Sequence, residues 1–330
     1  MANNIIEWDG NCTLIGTPFL VDSLVPRDLE FRKLSAKPHS IILIQESLSS
    51  PIMEIKKAII PIAGLGTRFL PLSKIIPKEL FPLLGKPIIQ YALEEIKKAG
   101  IKEIILIVNP RRKLILDYLK RTPDDEKTAK KIQNHNLLKE IKNLEELLSN
   151  FSVSVVYQAK PLGTGHALLQ TKKIIGEEPV AVVYCDDVID SKIPSLQQLV
   201  NVFKTSQRPT IALKKIPKEN ESPYGIVEGE KISSRLYKIK KFFEKPLAGT
   251  ISSDLTSIGR YLLTPEVFEY LRKIPFNGKK ELGLTDAFIE MLKDGKIIYG
   301  QEIEGEWLEC GDKDKWIKSS FILSSKQWNH

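Results

Sequence analysis

Cysteine is scarce in this chain of 330 residues. Cys12, Cys185 and Cys310 form no CxxC pair, which excludes a disulfide-stapled scaffold and a cysteine-rich zinc or redox site. Long apolar runs are missing as well. The longest near the start, Ile41–Ile44, is four residues, against the about 20 that span a bilayer. Met1–Gly10 has neither a basic head nor an apolar middle, so no secretory signal is read there and the expected compartment is cytoplasmic, with no membrane partner. There is no fixed-period repeat and no low-complexity linker. Nor is there a helix-turn-helix, zinc-finger or aromatic–basic RNA-binding motif, so no nucleic-acid partner is expected. What is present is ordinary for a globular chain that buries a core: 42% hydrophobic and 27% charged residues. The length allows one large or two modest domains.

The one unusual figure is a net charge of +8. Residues 1–52 hold four Lys/Arg against six Asp/Glu, a balance of −2, so residues 53–330 carry +10. A basic surplus suits nucleic acid, an acidic surface or a polyanionic small molecule; surface lysines serving solubility account for it equally well. Residues 1–52 also lack any sustained helical or alternating period. Met53 runs straight into a clean strand, and 1–52 read as an appended leader, or else as an extension that packs on the domain or on a partner subunit. Residues 53–330 are expected to form a single catalytic domain.

From Lys57 strands and helices alternate. Ala58–Ala63 is a short apolar run ended by Gly64, the pattern of a buried parallel strand, although Pro61 lacks a ladder donor and argues against a central position. Ile88–Ala99 has helical spacing and stops at Gly100. Ile104–Val108, Val153–Tyr157 and Val180–Tyr184 read as further strands, and 112–149 as charged helix broken near Pro123. Beyond about 208 the strands 210–215, 224–228, 236–243 and 257–263 follow without regular helices between them. The expected class is α/β, a Rossmann-like arrangement with a central mixed, mostly parallel sheet flanked by helices.

The chemistry concentrates where strands end. Gly64 and Gly66 after the first strand let backbone N–H groups approach a phosphate or a base. The GxGxxG fingerprint is not met there, and the phosphate loop GxxxxGKS/T is absent. What remains is Thr67, Arg68 and Lys78 on one long loop, cations that suit a triphosphate; a glycine turn with solvated basic residues is the plainer alternative. Asp186 and Asp187 close the strand Val180–Cys185, where α/β sheets bind ligands, and hard oxygen donors there suit Mg²⁺. Taken by itself, an Asp pair capping the following turn is the commoner arrangement. Glu309 ends another strand and offers a second carboxylate. Glu244-Lys245-Pro246 supplies one acceptor and one cation, apt for a sugar hydroxyl and a phosphate. Gln158, followed by Gly163-Thr164-Gly165-His166, places an amide and bare backbone where a base edge could be read.

These motifs carry a resemblance. Ala63–Pro82 reads AGLGTRFLPLSKIIPKELFP. It is followed in order by QAKPLGTGHA (158–167), CDDV (185–188), YGIVE (224–228), FEKP (243–246), SIGRYLLTPEVF (257–268), LTDA (284–287) and WLECGDK (307–313). Together they resemble the bacterial UTP–glucose-1-phosphate uridylyltransferases of the sugar nucleotidyltransferase family, over about residues 55–320. The resemblance implies that this family's nucleotidyltransferase fold is present, with 53–205 the nucleotide-binding half and 206–330 the sugar-binding half. It implies that Ala63, Gly64, Gln158 and Gly163 read the uracil, with Gly66 and Thr67 on the same nucleotide loop, and that Arg68 and Lys78 hold the triphosphate and the leaving pyrophosphate. Asp186 matches the metal ligand, Glu244 the sugar-hydroxyl ligand and Lys245 the sugar-phosphate ligand, with Tyr224, Gly225 and Gly259 shaping the sugar pocket. Glu309 stands where related enzymes usually have a metal-binding Asp, and Asp187 reads as a neighbour of the metal site. A dimer or tetramer is the family's usual assembly.

The expected activity is transfer of the uridylyl group of UTP to glucose 1-phosphate, with Mg²⁺ as cofactor and pyrophosphate leaving opposite the attacking oxygen. The sugar phosphate is already mostly dianionic at neutral pH, so no general base is required and His166 reads as structural or base-adjacent. Arg68, Lys78 and Lys245 gather the anions. The alternatives are a related enzyme using dTTP or another sugar phosphate, or a non-catalytic nucleotide-sugar or nucleic-acid binding protein.

Overall fold

The computed structural model describes residues 52–330 apart from 112, 121–122, 218–223, 248, 279 and 329–330. The expected leader 1–52 lies, Ile52 aside, outside the described residues. Strand β1 (Lys57–Ile62) opens the chain's main sheet and leads into three 3₁₀ turns, at Thr67–Phe69, Leu72–Lys74 and Lys78–Leu80. A two-residue ladder follows, β2 (Pro82–Leu83) with β3 (Lys86–Pro87), and then helix α1 (Ile88–Lys98), which ends ahead of Gly100 as its spacing predicts. After β4 (Glu103–Val108) come α2 (Leu114–Tyr118), α3 (Pro123–Lys131) and α4 (His135–Ser149). Pro123 opens α3, where its missing N–H costs nothing. The chain returns through β5 (Ser152–Tyr157), α5 (Thr164–Leu169), α6 (Lys172–Ile175), β6 (Val180–Val183), β7 (Asp187–Asp190) and α7 (Ser195–Ser206). The second half is richer in strand: β8 (Thr210–Lys215), β9 (Gly225–Lys231), β10 (Leu236–Glu244) and β11 (Leu255–Leu263), then α8 (Pro265–Lys273), α9 (Leu284–Lys293), β12 (Tyr299–Glu302), β13 (Glu306–Glu309) and α10 (Lys313–Trp328).

Nine strands form one sheet in the order β5-β4-β1-β6-β11-β8-β12-β10-β9. The sheet is mixed, as expected. Its first four strands are all parallel, whereas β11 runs antiparallel to both β6 and β8 and brings antiparallel ladders into the second half. Beyond it, β12 pairs parallel with β8 and antiparallel with β10. β1 is central despite Pro61, and the ladders show why. β4 pairs along all of β1, but β6 pairs only from Lys57 to Ile59. Pro61 therefore sits where β1 keeps a single neighbour.

The two-residue period of β1 divides the core. Ala58, Ile60 and Ile62 face one apolar layer with α1 and α7, while Ile59 faces the other with α5, α8 and α9. Each fully buried Ile, Leu or Phe in these layers contributes about 1.5–3 kcal/mol. In such a layered sheet ligand chemistry belongs at the carboxyl ends of the parallel strands.

Candidate active site

The loop after β1 is held by its aromatic residues. Phe69 is fully buried, edge-on to Phe81 with ring centroids 4.9 Å apart, and it also meets Trp316 of α10. Ser73 Oγ donates to the Gly66 carbonyl at 2.6 Å. With Phe69 anchored, its neighbours Thr67 and Arg68 are left on the wall of a cavity of about 410 Å³. That wall also carries Ala63, Gly64, Gly66, Lys78, Gln158, Gly163 and Asp186. Every residue the sequence assigns to the nucleotide, together with Asp186, lies on one cavity.

Lys78 opens the third 3₁₀ turn and reaches Asp186 across the sheet end, Nζ to Oδ2 2.5 Å. Burial works against the Lys78 ammonium, but the carboxylates of Asp186 and Glu79 outweigh it and raise its pKa above the ordinary lysine value. Burial likewise opposes the Asp186 carboxylate, and Lys78 and Arg68 offset that and hold its pKa low. Both groups are therefore charged at neutral pH, opposed cation to anion on the wall. The Asp186 carbonyl accepts from Cys310 N at 2.6 Å, which ties the end of β6 to the segment after β13. An atom at the Cβ position of Gly311 would lie 3.3 Å from Glu309 Oε1, 3.4 Å from Arg68 Nη1 and 3.7 Å from Asp186 Oδ2. The three side chains border one small space beside Gly311.

Also on the cavity lining, the Gln158 amide donates to Gly163 O at 3.3 Å and to His166 Nδ1 at 2.9 Å. Both of its N–H groups are spent, which leaves its oxygen to accept from a ligand. Burial lowers the His166 pKa, consistent with a neutral ring that accepts this bond. Gly163 has φ +103°, and a Cβ there would stand 2.3 Å from the Leu282 carbonyl oxygen. The loop is zipped to that residue, with Gly165 N donating to Leu282 O at 2.8 Å and Leu282 N to Leu162 O at 2.9 Å. Replacing Gly163 by Ala combines a strained backbone with a backbone clash. It is expected to weaken nucleotide binding by at least about tenfold, since an interaction worth 1.4 kcal/mol sets that scale, and to lower the midpoint of a urea melt. Titration calorimetry with UTP and the melt check it; unchanged affinity would dismiss the role of this loop.

The remaining assigned residues form a second group beside the cavity, off its wall. Gly225 and Glu244 are register partners at adjoining ends of β9 and β10, and Lys245 N donates to Tyr224 O at 3.1 Å. Lys245 itself takes φ +48°, a left-handed conformation that clusters at ligand clamps in non-glycine residues. Its ammonium is loosely paired with Glu244, 3.8 Å away, and largely exposed. Gly259 lies inside β11, where its N–H donates to Asp187 Oδ2 at 2.9 Å and a Cβ would meet that same oxygen at 2.5 Å. Tyr184 joins the two groups: it lines the cavity, and its N–H donates to Gly259 O at 2.9 Å. Asp187 is also held by Trp307 Nε1 at 2.7 Å. Burial, with Asp186 and Glu309 nearby, pushes its pKa up to about 7. It is a shared anchor for β11 and β13.

Several residues here escape sequence reasoning. Tyr184 and Glu281 line the cavity, and Lys315 bonds Glu309 and Tyr224. Arg260 and Glu95 form a buried pair whose Arg260 Nη1 donates to the carbonyls of Tyr184 (2.7 Å) and Gly259 (2.9 Å). The available signal is a charge interrupting an apolar face: Arg260 within Ile258–Leu263 and Glu95 within the apolar stripe of α1. Among the described residues no three His, Cys, Asp or Glu gather as a ready metal cage. The two carboxylates near Gly311 instead match Mg²⁺, which takes one or two carboxylates and completes its shell with phosphates and water.

Known proteins resemble this chain over most of its length. The nucleotidyl transferase family matches residues 57–325. A UTP–glucose-1-phosphate uridylyltransferase of Staphylococcus haemolyticus is 37% identical over 273 residues, 83% of this chain and 93% of that one. A crystal structure of a UDP-glucose pyrophosphorylase complexed with UDP-glucose superposes with a TM-score of 0.74 at 35% identity, covering 82% of this chain and 99% of the other. The UTP-bound enzyme from Acinetobacter baumannii gives the same TM-score at 33% identity, over 82% of this chain and 93% of that one. With its glycine loop, paired Lys78 and Asp186 and strand-end cavity, this chain belongs to the nucleotidyl transferase family, in the branch of the UTP–glucose-1-phosphate uridylyltransferases.

Proposed function

We propose that the protein transfers the uridylyl group of UTP to glucose 1-phosphate. The observation that carries this reading is the convergence of Ala63, Gly64, Gly66, Thr67, Arg68, Lys78, Gln158, Gly163 and Asp186 on a single cavity, in a chain whose relatives bear that activity in their names. A phosphate oxygen of glucose 1-phosphate attacks the α-phosphorus of UTP. The bond from the α-phosphorus to the bridging oxygen breaks, and pyrophosphate leaves with that electron pair. The attacking group is already mostly a dianion at neutral pH, so no side chain takes a proton from it.

The work of the protein is therefore positioning and charge. The oxygen of Gln158 and the backbone at Ala63 and Gly163 meet the base edge. Arg68 and Lys78 oppose the triphosphate and the departing pyrophosphate. Glu244 and Lys245 serve the sugar hydroxyls and the sugar phosphate, with Tyr224, Gly225 and Gly259 around them, so that 53–205 serves mainly the nucleotide and 206–330 mainly the sugar. Asp186 and Glu309 would hold Mg²⁺, which neutralises phosphate charge in the transition state. The reading brings with it a cytoplasmic compartment and a dimer or tetramer as the assembly. Among the described residues no helix is long and apolar enough to cross a membrane.

The test is direct. The purified protein with UTP, glucose 1-phosphate and Mg²⁺ is expected to release pyrophosphate, and EDTA to stop the release. A folded sample that releases none under these conditions would sink the reading. Faster release with dTTP, or with another sugar phosphate, would move the assignment to a sister activity.

A further inference from the structure

Glu309 is the second carboxylate of the proposed metal pair, yet both of its oxygens already have partners. Oε1 accepts from Lys315 Nζ at 2.7 Å, and Oε2 accepts from the Tyr224 hydroxyl. Lys315 Nζ also donates to that hydroxyl at 2.8 Å and stands 4.6 Å from the centre of its ring. Tyr224 in turn packs edge-on against Trp307, with centroids 5.2 Å apart. Helix α10, the segment before β9 and the end of β13 thus meet in one closed triad. The side chain of Glu309 is 17% exposed and that of Lys315 29%, so water screens this pair less than a surface ion pair.

The oxygen that Lys315 holds borders the same space beside Gly311 as Asp186. Glu309 Oε1 and Asp186 Oδ2 lie 3.3 Å and 3.7 Å from one point beside Gly311. A divalent cation seated at that point meets Oε1, and an ammonium already sits there. Lys78 stands in the same relation to Asp186, but the phosphates offer Lys78 a new partner, whereas Lys315 keeps, among the described residues, the Tyr224 hydroxyl and Asp312, 3.8 Å away.

We propose that Lys315 is a positioning residue that sets the metal affinity of the site, its ammonium competing with the divalent cation for Glu309 Oε1. The proposal rests on the assignment of Asp186 and Glu309 as metal ligands. Removing the positive charge takes the ammonium away from Glu309 Oε1, so the expected sign is a gain in metal binding. A lysine that merely braced α10 would give no such gain.

The experiment titrates the full chain with Mn²⁺ alone, without nucleotide, following free Mn²⁺ by electron paramagnetic resonance. Lys315→Gln and Lys315→Met are expected to bind Mn²⁺ about tenfold more tightly than the parent protein, the scale of one half-buried charge interaction, whereas Lys315→Arg should match the parent. Adding Glu309→Gln to Lys315→Met should cancel the gain. Mn²⁺ affinity that is unchanged or weaker in the neutral variants would overturn the proposal, as would a gain that survives Glu309→Gln. Circular-dichroism melts accompany each variant, and Lys315→Gln, which keeps length and polarity, carries the test if the Met variant does not fold. Failure of pyrophosphate release by the parent protein would strike the proposed activity and leave this binding result standing, so the two are told apart.

Discussion

Replacing Lys78 by Ala is expected to lower kcat/KM for uridylyl transfer by about 10²–10³-fold, the size of losing one preorganised charge contact in a transition state. The reason lies in its position. Its ammonium is 2.5 Å from Asp186 on the cavity wall, mostly buried, and it is held charged by Asp186 and Glu79 against the cost of burial. On the proposed assignment the change removes a cation from the phosphates, and it leaves Asp186 less opposed in the same step. Asp186→Asn should be comparably slow. The double variant should lose less than the two single losses multiplied together, because groups in contact do not add. Lys86→Ala serves as the control. Lys86 pairs with Glu94 at 2.8 Å on a more exposed face, away from the cavity, and its loss should leave the rate unchanged. Steady-state kinetics with UTP and glucose 1-phosphate decide it. A Lys78→Ala enzyme near the parent rate would show that Lys78 is structural.

Replacing Arg260 by Ala is expected to cost about 3–5 kcal/mol of stability, the range for breaking a buried ion pair by removing one partner. Arg260 is only 1% exposed. Nε and Nη2 donate to Glu95 Oε2 at 3.0 Å and 2.7 Å, while Nη1 holds the carbonyls of Tyr184 and Gly259. Glu95 Oε1 accepts from Leu196 N at 2.7 Å and from the Ser195 hydroxyl at the start of α7. One pair therefore ties α1, α7 and β11 to the turn that carries Asp186. Without Arg260, Glu95 is a buried charge with no counterion. The Glu95→Ala/Arg260→Ala double variant should thus lose less than the sum of its parts.

The pH dependence has a definite sign. Burial alone would raise the Glu95 pKa, but Arg260, Ser195 and Leu196 more than offset that and lower it. A depressed carboxylate contributes stability that is present above its unfolded pKa of about 4.3 and is lost as pH falls through the folded value. In Arg260→Ala burial dominates, the Glu95 pKa rises, and acid should relieve part of the defect. Urea melts at neutral and mildly acidic pH would show the gap between parent and variant narrowing as pH falls. A constant gap would mean that Glu95 is not the group involved.

Much of this molecule is legible residue by residue. Ile104–Val108 and Val180–Val183 are continuous aliphatic runs, and a strand buried on both faces has to read that way. The helix at Ile88 declares itself by spacing, and the glycine loop, Lys78, Gln158 and Asp186 stand out because chemistry at strand ends needs those residue types. Pro61 misleads, since its effect on β1 depends on where β6 stops pairing. The mixed second half is only partly visible too: that β11 runs antiparallel between β6 and β8 is a matter of chain return, to which local periodicity is blind.

The sequence by itself determined the class of fold, the family and the nucleotide loop, because apolar periodicity and short motifs are local properties. Only the tertiary structure decided which charges meet. Arg260 finds Glu95 across 165 positions, Lys78 finds Asp186 across 108, and Tyr224 reaches Glu309 across 85. Arg260 and Glu95 read alone are each one more polar residue near an apolar run. Their partners are selected by strand order and side-chain reach, and it is burial at those meeting points that turns ordinary residues into a site.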